Sequence, residues 1–447
     1  MELVRMKRLR WLLVPALLLP LTTGSSAQAQ NAAQSGVLCS TSASPNATFS
    51  LTASGDYISM PDGNTIWTWS YHDSASVFRF PGPTLCVNQG DTVTVVLHNS
   101  LPEATSIMFP GVDGVTANGT PAQPEFNGPG GTVSSLTGSA AATNGTVTYS
   151  FTATNPGTYL YESGTDPGKQ VQMGLYGSLI VRPNGHLDAA YVKGDGTAFG
   201  QFDTSTEFVM LLSELDPNLH AAVELGQPYD VTALHPRYWL INGRSFPDTI
   251  AANNAAWLPN QPQGALVHVT VQDLGDSGSN GPGKKPALIR YLNAGTRNHP
   301  FHPHGQNGTM LARDATPLLD AANNDLSYET FSFSIGSGQT WDQTYMYQNQ
   351  EHFDATANPV PVTMPQLQNL VFKDSATYYS GSPYLGNKGK LPVATTSYNE
   401  CGEYYMVMHS HALNEVANYD AGFGGMLTLE RIDPLPGKQA PGTTCTR

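Results

Sequence analysis

Charge is scarce in this chain: 13% of its 447 residues are Asp, Glu, Lys or Arg, and acidic residues outnumber basic ones 35 to 21. A net charge of -14 repels phosphate backbones, so nucleic acid is not an expected partner. Long apolar runs are missing too. The longest, residues 11–21, is only half of the roughly twenty residues that a membrane helix needs, and no membrane span is expected. No helical periodicity extends beyond about ten residues, which argues against a helical core. Cysteine is limited to Cys39, Cys86, Cys401 and Cys445, none of them one residue from a histidine, so a metal-thiolate centre of that kind has no candidate.

What the chain does contain is 44 Gly and 33 Pro among many Thr, Ser, Asn and Val, the composition of sheets joined by many turns. Arg5, Lys7, Arg8 and Arg10 precede the apolar run, and Ala27-Gln28-Ala29 follows it with the small-x-small pattern of a signal-peptidase site. Residues 1–29 therefore read as an export signal, and the mature chain is expected in the periplasm or outside the cell. Removing them leaves 17 basic residues against 34 acidic ones. An oxidising compartment favours disulfides, and the pairs expected are Cys39 with Cys86 and Cys401 with Cys445. Asn46, Asn118, Asn144 and Asn307 head glycosylation sequons.

Strand signals recur along the chain. Gly90-Asp91 starts a Thr-Val alternation that ends at Asn99, and Pro61-Asp62-Gly63 marks a turn between two strands. Further strands are expected at 146–154, 157–161 and 173–181. A polar, Gly-containing stretch follows, and then the outline repeats with strands at 207–213, 238–243, 266–271, 287–293, 404–409 and 425–430. The reading is all-β, two tandem Greek-key sandwiches. The first spans 36–183, a linker 184–204, the second 205–432, and a tail 433–447.

Three of the twelve histidines crowd into Asn298-His299-Pro300-Phe301-His302-Pro303-His304-Gly305, and His409-Ser410-His411 repeats the two-residue spacing. A strand aims alternate side chains at one face. His302 with His304, and His409 with His411, can thus present four imidazoles to one ion, while His299 faces elsewhere. Imidazole suits copper and zinc alike.

Pro81-Gly82-Pro83-Thr84, Gly90-Asp91-Thr92-Val93, Ile241-Asn242-Gly243, Asn293-Ala294-Gly295-Thr296 and His299-Pro300-x-His302-x-His304-Gly305 together resemble the multicopper oxidases, in their two-domain cupredoxin form. The resemblance implies cupredoxin-like domains, copper as cofactor, His299, His302, His304, His409 and His411 as metal residues, and a ring of three subunits. It also shows what is lost. Met108-Phe109-Pro110 and Glu162-Ser163-Gly164 stand where the family has its first two His-x-His pairs, Ser410 stands for the blue-copper cysteine, and Glu415 for its second histidine. Laccase chemistry through this chain alone is not expected. Three readings stay open: a protein holding one copper or other single metal, a metal-free scaffold for binding or assembly at the cell surface, and an oxidoreductase whose mononuclear copper is fed by a redox partner protein.

Overall fold

The protein is described here by a computed structural model covering residues 36–269, 271–272, 284–348, 404–419, 422 and 424–433, with the short pairs 370–371 and 377–378. Cys401 and Cys445, the greater part of loop 350–398 and almost all of the tail lie outside the described residues.

Strand Thr92–Asn99 follows the pattern expected of its sequence, with Val93, Val95 and Leu97 buried and Thr92 and His98 exposed. Such alternation needs a second layer over its apolar face. Here a six-stranded sheet runs in the order Thr65–Asp73, Asn46–Ser59, Thr92–Asn99, Gly145–Thr152, Thr116–Ala117 and Thr120–Pro121. Against it lies a four-stranded sheet of Cys39–Thr41, Thr84–Asn88, Tyr176–Arg182 and Gly157–Glu162. Leu85, Leu179 and Val181 from the latter meet Phe49, Val95 and Tyr149 from the former in one core. The Cys39–Cys86 disulfide is present and joins the parallel strands Cys39–Thr41 and Thr84–Asn88.

The second sandwich repeats the scheme without sharing a sheet with the first. One sheet centres on Glu207–Leu215, Ala287–Asn293 and Thr340–Tyr345. The other runs Val267–Val269, Leu427–Ile432, Tyr404–Ser410, His299–Pro303 and Phe333–Ile335. Between the sandwiches, the stretch read as a plain polar linker contains a hairpin, Ala189–Val192 with Ala198–Gln201. Its Tyr191 and Phe199 pack with Leu288 and Leu311 of the second sandwich.

A buried ionic network closes the junction. Arg290, fully buried, donates to Glu207 at 2.8 Å and to Thr158 Oγ1 at 2.9 Å. Arg182 reaches the other Glu207 oxygen at 2.6 Å, and Asp342 accepts from Thr158 and Tyr191 at 2.7 and 2.5 Å. Each charge is paired, which is the condition for holding ions in a dry interior.

Candidate metal centre

Strands His299–Pro303 and Tyr404–Ser410 pair antiparallel with Phe301 opposite Ser410, His302 opposite His409 and Pro303 opposite Met408. Phe301, Met408 and Ser410 point into the sandwich and are fully buried. The period of two therefore turns His302, His304, His409 and His411 to the other face, as the sequence spacing predicts. Gly305 ends the first segment at φ 95°, a conformation that favours glycine, and so lets the chain turn directly after His304.

The four rings converge. Ring centres lie 4.5 Å apart for His302 and His304, 5.7 Å for His302 and His409, 5.4 Å for His302 and His411, 5.2 Å for His304 and His409, and 5.6 Å for His409 and His411. His302 Nδ1 lies 2.5 Å from the Phe331 carbonyl oxygen, and His409 Nδ1 lies 2.7 Å from that of Ser410. A carbonyl only accepts, so each Nδ1 carries the proton and each Nε2 presents a lone pair to the cluster. The Nε2 atoms of His304 and His409 are 3.1 Å apart. Two nitrogens that each lie about 2 Å from a shared ion are separated by about that much. Among the described residues no group of three or more His, Cys, Asp or Glu side chains is already set as a metal shell. The preformed unit is thus the His304–His409 pair, with His302 and His411 alongside.

Burial, followed by the charges of His302, His409 and His411, lowers the pKa of His304 to about 4. His409 is also lowered, mainly by burial, against its bond to the Ser410 carbonyl. Both rings are neutral at pH 7, the form in which imidazole coordinates a metal.

His299 is not brought to this cluster. It is fully buried, with Nδ1 2.9 Å from Glu415 Oε2 and Nε2 3.4 Å from Glu214 Oε2, and the Ser410 hydroxyl donates to Glu415. Burial alone would lower its pKa, but the carboxylates of Glu214 and Glu415 outweigh that and raise it to about 9. In this arrangement both ring nitrogens face carboxylates and not the four-ring patch. The sequence reading did not single out Glu214. Its signal was an acidic residue inside the apolar run 207–215, where an unpaired carboxylate would be costly.

In the first sandwich Met108 and Glu162 face one another across an isolated bridge. Burial raises the Glu162 pKa to about 7. No imidazole lies in either segment.

Residues 60–186 match the family profile described as multicopper oxidase. That match covers most of the first sandwich. The L-ascorbate oxidase of Cucurbita maxima is 42% identical over 106 residues, covering 24% of this chain and 16% of that protein. Copper resistance protein A of Pseudomonas syringae pv. tomato is 35% identical over 101 residues, 23% of this chain and 14% of that one. The chain thus matches only about a sixth of the length of these curated relatives. Among solved structures, the blue copper oxidase from Nitrosomonas europaea superposes with a TM-score of 0.53 at 18% identity, over 86% of this chain and 85% of that one. The multicopper oxidase mgLAC gives 0.53 at 17% identity, over 87% of both chains. At these identities the likeness concerns the fold, the two-domain cupredoxin sandwich.

The donor set fits one copper and fails the family's other centres. Four imidazoles suit a single ion. Ser410 and Glu415 offer neither the thiolate nor the second imidazole of a blue-copper site, and Met108, Pro110, Glu162 and Gly164 do not replace four imidazoles of a three-copper cluster.

Proposed function

We propose that this is an exported, multicopper-oxidase-like protein that binds a single copper ion through His302, His304, His409 and His411, without a blue copper and without a complete three-copper cluster. The observation that carries the reading is the packing of the four rings on one face, with the Nδ1 atoms of His302 and His409 held by backbone carbonyls. Copper, when bound, supplies one-electron chemistry and Lewis acidity; the chain's part is to hold neutral imidazoles in a half-buried patch. Loss of the thiolate removes the strongly coupled copper-sulfur link of blue-copper electron transfer. The reading includes a neighbouring copy of the chain, in a ring of three, over the open side of the patch. His411 is exposed there, and the exposed Phe331, whose ring packs on His302, and the exposed Leu413 put apolar surface beside it.

Thermal melting tests the reading. A hundredfold excess of copper over the dissociation constant should stabilise the wild type by about 2.7 kcal/mol. The double variant His302→Ala with His409→Ala should show no such gain. Lowered pKa values carry binding below pH 6, where a free imidazole would have lost most of it. The gain should shrink as pH falls and vanish near 4, where His304 takes up its proton. Equal copper-induced shifts in wild type and double variant would contradict the assignment and favour a metal-free scaffold.

A further inference from the structure

Beneath the four-ring patch lies a second set of ionisable groups that copper binding does not use. Glu214 belongs to strand Glu207–Leu215, His299 begins strand His299–Pro303, Ser410 ends strand Tyr404–Ser410, and Glu415 sits in the turn Leu413–Val416. All four are buried, with exposures of 1%, 0%, 0% and 4%. The Ser410 hydroxyl donates to Glu415, Glu415 lies 2.9 Å from His299 Nδ1, and Glu214 faces His299 Nε2 at 3.4 Å. The other Glu214 oxygen takes the Thr296 backbone N–H at 2.5 Å and the Thr296 hydroxyl at 2.6 Å. Gly295 permits that approach, since a Cβ there would stand 1.9 Å from Glu214 Oε2.

The placement of these contacts gives them a role. Ser410 separates His409 from His411, and His299 stands three residues before His302. Ser410 is also the strand partner of Phe301. The chain of contacts therefore fastens both histidine-bearing segments to each other, and through Glu214 to the opposite sheet of the sandwich. Strand His299–Pro303 has three register pairs with Tyr404–Ser410 and three with Phe333–Ile335. Charge-assisted hydrogen bonds in a dry interior are strong and directional, so the contacts at His299 and Ser410 add to those ladders. Well-packed apolar residues would often be as stable as buried ions.

We propose that Glu214, His299, Glu415 and Ser410 form a brace that sets the two histidine pairs in register for the metal, which makes them positioning residues; the inference rests on the copper reading above. Copper affinity and the electron paramagnetic resonance spectrum should be measured for the wild type, Glu415→Ala, Glu415→Gln and Ser410→Ala. Glu415→Ala should weaken copper binding about 10- to 100-fold, the cost usual for a lost supporting group, and replace one copper spectrum by a mixture. Glu415→Gln keeps an acceptor for Ser410 and should recover most of the affinity. A folded Glu415→Ala protein with wild-type affinity and spectrum would overturn the brace. Should that variant not fold, Ser410→Ala decides, with about a threefold or greater loss expected and no change overturning the proposal. If the wild type binds no copper, the copper reading fails and the brace is read without metal. The ring resonances of His302 and His409 in ion-free protein should then form one set in the wild type and several in Glu415→Ala, and a single unchanged set would overturn it.

Discussion

At His299 the chain keeps a protonated imidazole between two carboxylates, and the sign of its contribution to stability follows from the raised pKa. The folded state holds the proton more tightly than the unfolded state, where the value is 6.5. The contribution is therefore complete below pH 6.5 and is lost as pH rises through about 9. Ion-free wild type should lose melting temperature between these limits, and His299→Gln should lose much less over the same range. An equal decline in both would show that His299 does not carry the effect. Ser410 and Glu415 set the colour of the copper-loaded protein. No intense visible charge-transfer band is expected in the wild type, nor in Ser410→Cys alone, because the second imidazole would still be missing. An absorption spectrum of each copper-loaded protein checks this.

Elements made of alternating residues were legible in the sequence, and elements held by distant partners were not. The Thr-Val alternation foretold strand Thr92–Asn99, and the His-x-His spacing put each pair on one face, because both depend only on the local period. The hairpin Ala189–Gln201 read as a linker, since the side chains that bury it, Leu288 and Leu311, lie far along the chain. Helix Pro217–Glu224 has eight residues, too few to show a period. At the candidate site the four histidines could be read directly, but the Glu214 partnership with His299 needed the fold to bring two sheets together. The junction network is another such product of the fold. Arg290→Met would leave Asp342 uncompensated and Glu207 with Arg182 alone, so it should cost about 3–5 kcal/mol in denaturant unfolding. A loss below about 1 kcal/mol, the range of surface pairs, would mean that the network is solvated. Removing the Cys39–Cys86 link should cost about 2–4 kcal/mol by the same measurement, since it closes a separation of 47 residues.

For the whole molecule, two sandwiches of one design carry His-x-His pairs in the second only. The first matches the multicopper oxidase model over residues 60–186, yet Met108, Pro110, Glu162 and Gly164 leave it without imidazoles at the positions where the resemblance expects them. A single mononuclear site is what the proposed function requires, and copper stoichiometry tests it most directly. Copper bound per chain should be counted together with the electron paramagnetic resonance spectrum of the loaded protein. The account predicts one copper per chain with coupling to several nitrogens, absent from His302→Ala with His409→Ala. Three coppers per chain, a coupled pair without signal, or one copper retained in the double variant would contradict it.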